Sequence, residues 1–227
     1  MQKLRGYSGH EMELPYDIRI RPWYNQDFVS AFYMVPGIMG TVLTMTLVMF
    51  TSMAIVRERE RGTLEQLIVT PMKTWELLIG KIIPYIFVGY VQVTVALLVG
   101  IFMFDLPVRG SLALLYSLTS LFIIASLAMG VLISVLAKTQ MQAMQMSFFI
   151  ILPSILLSGF MFPREAMPAF FSALGYLLPV TFYLQIMRGI ILKGIGIDML
   201  WGQVFALVAF IAIVLTISIK KFNKKIA

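Results

Sequence analysis

The residues able to do chemistry are few, and their types narrow the options quickly. Cysteine is absent and histidine occurs once, as His10, so thiolate sites, cysteine nucleophiles and multi-histidine metal clusters drop out together. Neither GxSxG nor GxxxxGK[ST] occurs, since Gly80-Lys81 is followed by Ile82, and a serine–histidine triad would have to draw on His10 alone. The chain itself is therefore not expected to hydrolyse ATP or to carry a catalytic or metal centre. What remains is a handful of polar side chains inside long apolar runs. Gln92 is the strongest, with Tyr85, Tyr90 and Thr94 nearby in sequence, and Ser117, Thr119 and Ser120 add hydroxyls further on. Such groups either line a substrate path or bond one helix to another, and the second use is the commoner. Tyr85, Gln92 and Ser117 are the candidate path residues. The runs hold no charged side chain, which disfavours a proton relay or coupling to an ion gradient.

The elements that hold these groups follow from composition and run length. Of 227 residues, 59% are hydrophobic and 13% charged, with mean hydropathy +0.89; a soluble domain carries about 45–50% apolar and about 25% charged residues. So few charges cannot cover a water-soluble surface, and the chain reads as an integral membrane protein. Five stretches reach or approach the roughly 20 apolar residues a bilayer core requires: 34–56, 82–104, 112–137, 146–162 and 199–219. Runs of this length predict helices rather than alternating barrel strands. The fold class is all-α, a polytopic helical membrane protein with five spans.

Orientation comes from the basic residues. One side collects Arg57, Arg59, Arg61, Lys73, Lys81, Lys138, Lys220, Lys221, Lys224 and Lys225, whereas the other has Arg109, Arg164, Arg188 and Lys193. The richer side is expected to be cytoplasmic, which accounts for the net charge of +7 without nucleic acid. The C-terminus is then inside and the N-terminus outside. Residues 1–33 read as the end of an extracytoplasmic domain: Tyr16, Ile18 and Ile20 alternate with Asp17, Arg19 and Arg21 in strand fashion, and Pro22 ends the pattern. Trp23 and Tyr24 suit either the membrane interface or a domain core. Nothing near Met1 resembles a signal peptide, so the expectation is that an upstream span precedes this chain in a longer protein.

Two connecting segments carry more than loop character. In 57–81, Gly62 breaks the preceding helix, Thr63-Leu64-Glu65-Gln66 fits a capping box, and Pro71 stops the new helix after two turns. A helix so short is unstable alone; it either docks on a partner or lies on lipid headgroups with its arginines, Arg57 and Arg59 above all, on phosphates. Between Pro163 and Asp198, the stretches Met167–Leu178 and Thr181–Leu192 read as two short helices divided by Pro179, with Lys193-Gly194 as a terminus. At about 18 Å each they cannot cross, so a re-entrant or interfacial hairpin is predicted on the outer face. Ser126, Gly130 and Ser134 form a small-residue face for close helix packing.

The string RERERGTLEQLIVTP, Arg57 to Pro71, directly after a membrane helix, strongly resembles the ABC-2 type transporter permease family. Trp23-Tyr24-Asn25, Val35-Pro36-Gly37, Ser158-Gly159-Phe160, Phe162-Pro163 and Pro179 through Arg188-Gly189 extend the resemblance along nearly the whole chain. The resemblance implies that residues 34–227 form an ABC-2 type transmembrane domain and that the five spans are the second to sixth of six. It further implies that 63–70 is the cytoplasmic coupling helix docked on a separate ABC ATPase, and that the 163–198 hairpin caps the exit path. Glu58, Glu60, Arg61, Thr63, Leu64, Glu65, Gln66 and Leu67 are the residues expected at the ATPase contact. The implied function is the permease subunit of an ATP-driven exporter in a bacterial inner membrane, moving a hydrophobic or amphipathic, drug- or lipid-like substrate. Its implied partners are the ATPase, which holds ATP and magnesium, a second permease subunit (identical or not), the bilayer and, by analogy, a periplasmic adaptor. The alternative is a non-transporting membrane scaffold or an inactive truncated permease.

Overall fold

The computed structural model describes residues 30–62 and 74–226. The strand pattern at 16–21, Trp23, Tyr24 and the capped helix at 63–70 lie outside the described residues. Within them the chain forms α1 (Ser30–Glu60), α2 (Thr74–Phe104), α3 (Leu112–Leu136), α4 (Gln140–Leu157), α5 (Ala169–Gly175), α6 (Pro179–Arg188) and α7 (Trp201–Ile226). Five of these, α1, α2, α3, α4 and α7, are long and apolar enough to cross a membrane. Among the described residues the architecture is all-helical, that of a multi-pass membrane protein.

Local sequence sets the boundaries. α2 stops where Asp105 takes a left-handed φ of 49° and the Leu106 amide reaches back to the Gly100 carbonyl at 3.1 Å, so a residue past the helix end satisfies one of its carbonyls. The fourth helix differs most from expectation: it runs 140–157 rather than 146–162. The Thr139 hydroxyl accepts from the Gln142 amide at 3.2 Å, so a polar first turn that hydropathy passes over is already helical. At the other end Gly159, with φ +86°, ends it before Phe162.

The hairpin has arms α5 and α6, the second extended by a π turn at Gly189–Lys193 and closed by left-handed Gly194. Its arms meet at 87°, a sharp break between two segments each too short to cross alone. Pro168 is the N-cap of α5, and Pro179 opens α6. The arms differ in surroundings. Phe170 and Phe171 of α5 are exposed, whereas Val180, Thr181, Tyr183, Leu184, Ile186 and Met187 of α6 are buried.

α3 is the central element: 78% of its apolar stretch is buried, against 22% for α2 and 17% for α7. At its middle Phe122 stacks on Tyr183 of α6, ring centroids 4.0 Å apart and nearly parallel, and the Tyr183 hydroxyl meets the Thr119 hydroxyl at 3.1 Å. Towards α1 the small-residue face does what its spacing predicts. A Cβ on Gly130 would stand 2.8 Å from Thr51 Cβ and 2.9 Å from the Val48 carbonyl oxygen, so the two helices approach as closely as a missing side chain permits.

Candidate functional site

Among the described residues, groupings of polar side chains stand out at three places. The first is the end of the bundle where α1 stops, here the loop end. Arg59 Nη2 donates to the Ala137 carbonyl at the end of α3. One Glu60 carboxylate oxygen accepts from the Gln140 amide at 3.0 Å and the other from Gln140 Nε2 at 2.5 Å, at the start of α4. Arg59, one of two arginines read as suited to lipid phosphates, thus has a bond within the chain through Nη2. Gly62 adopts a left-handed φ of 70° with its amide bonded to the Arg59 carbonyl at 3.2 Å, ending the helix where the sequence predicts. Glu58 and Arg61 flank this point, and Thr63, Leu64, Glu65, Gln66 and Leu67 lie outside the described residues.

The second place is the groove between α1 and α2. The Thr46 hydroxyl donates to the Val42 carbonyl at 2.8 Å, so towards Gln92 it acts as acceptor, and Gln92 Nε2 donates to it at 2.9 Å. That fixes the amide and leaves Gln92 Oε1 buried without a partner. A cavity of about 90 Å³ adjoins it, lined by Ile38, Met39, Val42, Leu43, Gln92, Val93 and Ala96. On its other side α2 bonds to α3: Tyr90 with Ser120, and Thr94 with Tyr116 at 2.8 Å. The three candidate path residues are not brought together. Tyr85 packs against the main core, and exposed Ser117 spends its hydroxyl on the Ala113 carbonyl of its own helix at 2.8 Å.

The third place, at the hairpin end, was missed by sequence reasoning. Arg188 of α6 donates to the Gly159 carbonyl at 3.0 Å and to the Tyr33 carbonyl at 3.3 Å, with its guanidinium 3.7 Å from the centre of the Tyr33 ring. The Tyr33 hydroxyl bonds to Gly159 as well. One cation thus joins the first turn of α1, the end of α4 and the hairpin. The available signal was an arginine at the end of a short apolar helix that a membrane would otherwise surround. Arg164 lies 3.8 Å over Tyr176 and donates to the Ser172 carbonyl at 2.7 Å, bracing α5.

A bundle of five long apolar helices, with a buried short helical arm packed against it and a charged helix end, defines a polytopic helical membrane protein. Residues 20–192 match the family model described as ABC-2 type transporter, and the chain belongs to that family. It is 34% identical over 210 residues to a probable multidrug ABC transporter permease, YbhR, of Escherichia coli, a match covering 92% of this chain and 57% of the relative. It is 36% identical over 188 residues to a second such permease, YbhS, of the same organism, covering 82% and 50%. An ABC transporter G family member of Dictyostelium discoideum is 26% identical over 203 residues, covering 88% and 28%. The chain spans about half the length of the bacterial relatives it matches.

Proposed function

We propose that this chain is the membrane-spanning part of a permease subunit in an ATP-driven exporter, with ATP and magnesium held by a separate cytoplasmic ATPase. Membership of the ABC-2 family carries the reading, and the charged loop end supports it. The basic residues of the loop end outnumber those of the hairpin end, which favours a cytoplasmic loop end and C-terminus in a bacterial inner membrane. The segment after Gly62, with Thr63, Leu64, Glu65, Gln66 and Leu67 and with Glu58 and Arg61 beside it, meets the ATPase. A second permease subunit completes the transporter, and a periplasmic adaptor fits the same scheme. The names of the bacterial relatives favour drug-like substrates. The groove beside Gln92 suits an apolar body bearing a hydrogen-bond donor, with Tyr85 and Ser117 further along the path.

The test is co-purification in detergent of the whole permease with its cognate ATPase, before and after Leu64→Asp and Glu65→Lys. Loss of the ATPase on substitution, with the unaltered pair stable and its hydrolysis stimulated by substrate, is the expected result. A permease that recruits no ATPase in either form is a scaffold, and the exporter reading is then wrong.

A further inference from the structure

Arg59 and Glu60 are adjacent on the last turn of α1, yet they grip two different helices. Ala137 is the C-cap of α3 and Thr139 the N-cap of α4, so the turn between those helices is three residues long. A cation on the carbonyl end of α3 and a carboxylate on the amide end of α4 are each favoured by the helix dipole. Capping is not their only effect, and the turn also has caps of its own on other groups. The Thr139 hydroxyl accepts from the Gln142 amide at 3.2 Å, and Gln142 Oε1 accepts from the Lys138 amide at 2.7 Å. What Arg59 and Glu60 add is a link across some eighty residues of sequence.

The packing beneath continues that link. Val48 and Val56 of α1, Met129 and Ile133 of α3, Ala137, and Ala143 of α4 form an apolar cluster of their own. Ser52 of α1 meets Ser147 of α4 at 3.1 Å, and Gly130 admits α1 to within contact of α3. The loop halves of α1, α3 and α4 are thereby one block. α2, on the far side of the 63–73 segment, has most of its apolar stretch unburied.

The geometry points to Arg59 and Glu60 as positioning residues that carry a displacement of the segment after α1 into the α3–α4 turn, so that α1, α3 and α4 move as one body. Like the reading above, this takes the loop as the ATPase contact; it assigns Glu60 to transmission within the permease rather than to that contact. Gln140 is the receiving residue.

The experiment is the ratio of substrate transported to ATP hydrolysed, with the whole permease and its ATPase in proteoliposomes. Glu60→Ala and Gln140→Ala should each lower that ratio about fivefold, and the double variant should be no worse than either, since the pair acts as a unit. Glu60→Gln should restore the ratio, because its Oε1 can still accept from the Gln140 backbone N–H while its Nε2 donates to the carboxamide oxygen of a flipped Gln140 side chain. ATPase co-purification should be unchanged throughout. An unaltered ratio in both alanine variants would overturn the proposal. So would a silent Gln140→Ala beside a Glu60→Gln as damaging as Glu60→Ala, which would put the carboxylate charge on the ATPase. If the unaltered permease recruits no ATPase, the exporter reading falls first and this inference falls with it.

Discussion

Gly130 offers a quantitative test of how α1 and α3 are joined. An added Cβ would meet Thr51 Cβ at 2.8 Å, the Val48 carbonyl oxygen at 2.9 Å and Thr51 Cγ2 at 3.2 Å. A backbone oxygen and a branched Cβ cannot swing aside, so the helices must separate by about 0.5 Å to restore ordinary contact. Overpacking of this kind costs about 1–3 kcal/mol, and replacing a helical glycine by alanine returns up to about 1 kcal/mol in propensity. Gly130→Ala should therefore lose up to about 2 kcal/mol, a fall in Tm of up to roughly 8 °C for a chain of this size. Gly202 is the control, since a Cβ there meets nothing within 4 Å, and Gly202→Ala should leave Tm unchanged or raise it. The assay is thermal unfolding in detergent followed by size-exclusion fluorescence. A Gly130→Ala variant as stable as Gly202→Ala would refute the close approach of α1 to α3.

Arg188→Lys should not behave as a conservative change, because one ammonium cannot reproduce a planar fork that reaches two carbonyls while stacking on Tyr33. We expect it to lower Tm by several degrees, losing at least one charge-assisted bond of about 1.5–3 kcal/mol, and an unchanged Tm would contradict the clasp. For Gln92, a cycle of Gln92→Leu, Thr46→Val and the double variant should give a coupling near 0.6 kcal/mol, the usual size for such a pair in a membrane. Gln92→Leu should also weaken transport of substrates bearing an N–H or O–H donor more than of those without one. Equal effects on both classes would remove Gln92 Oε1 from the path.

Much of the architecture was legible because bilayer thickness imposes a length on apolar runs, and five such runs stand out at the positions of α1, α2, α3, α4 and α7. Proline and glycine placed the hairpin: Pro179 opens α6 and Gly194 closes it, as their backbone preferences require. The start of α4 was hidden because Gln140 and Gln142 are polar, and hydropathy counts apolar residues rather than caps. The partners of Arg59, Glu60 and Arg188 were hidden for another reason. Their bonds run to backbone and to an amide side chain 29 to 155 residues away, and a charge pattern along one segment carries no record of such distant acceptors. The polar residues of α2 were legible as interhelical glue, but which neighbour each would choose was not.

The burial of α6 has a consequence for how the molecule is made. Tyr183, Ile186 and Met187 are fully enclosed, yet the ribosome supplies them after α1 to α4 have emerged. Until then Phe122 and Thr119 lack the ring and hydroxyl that complete their surroundings, and the four earlier helices can gather only around an unfilled centre. Maturation of the bundle thus waits for a short, late segment too brief to cross the bilayer alone. A nascent chain halted before Pro179 should sit in the membrane as loosely associated helices, vulnerable to membrane proteases, and tighten when the late arm slots in.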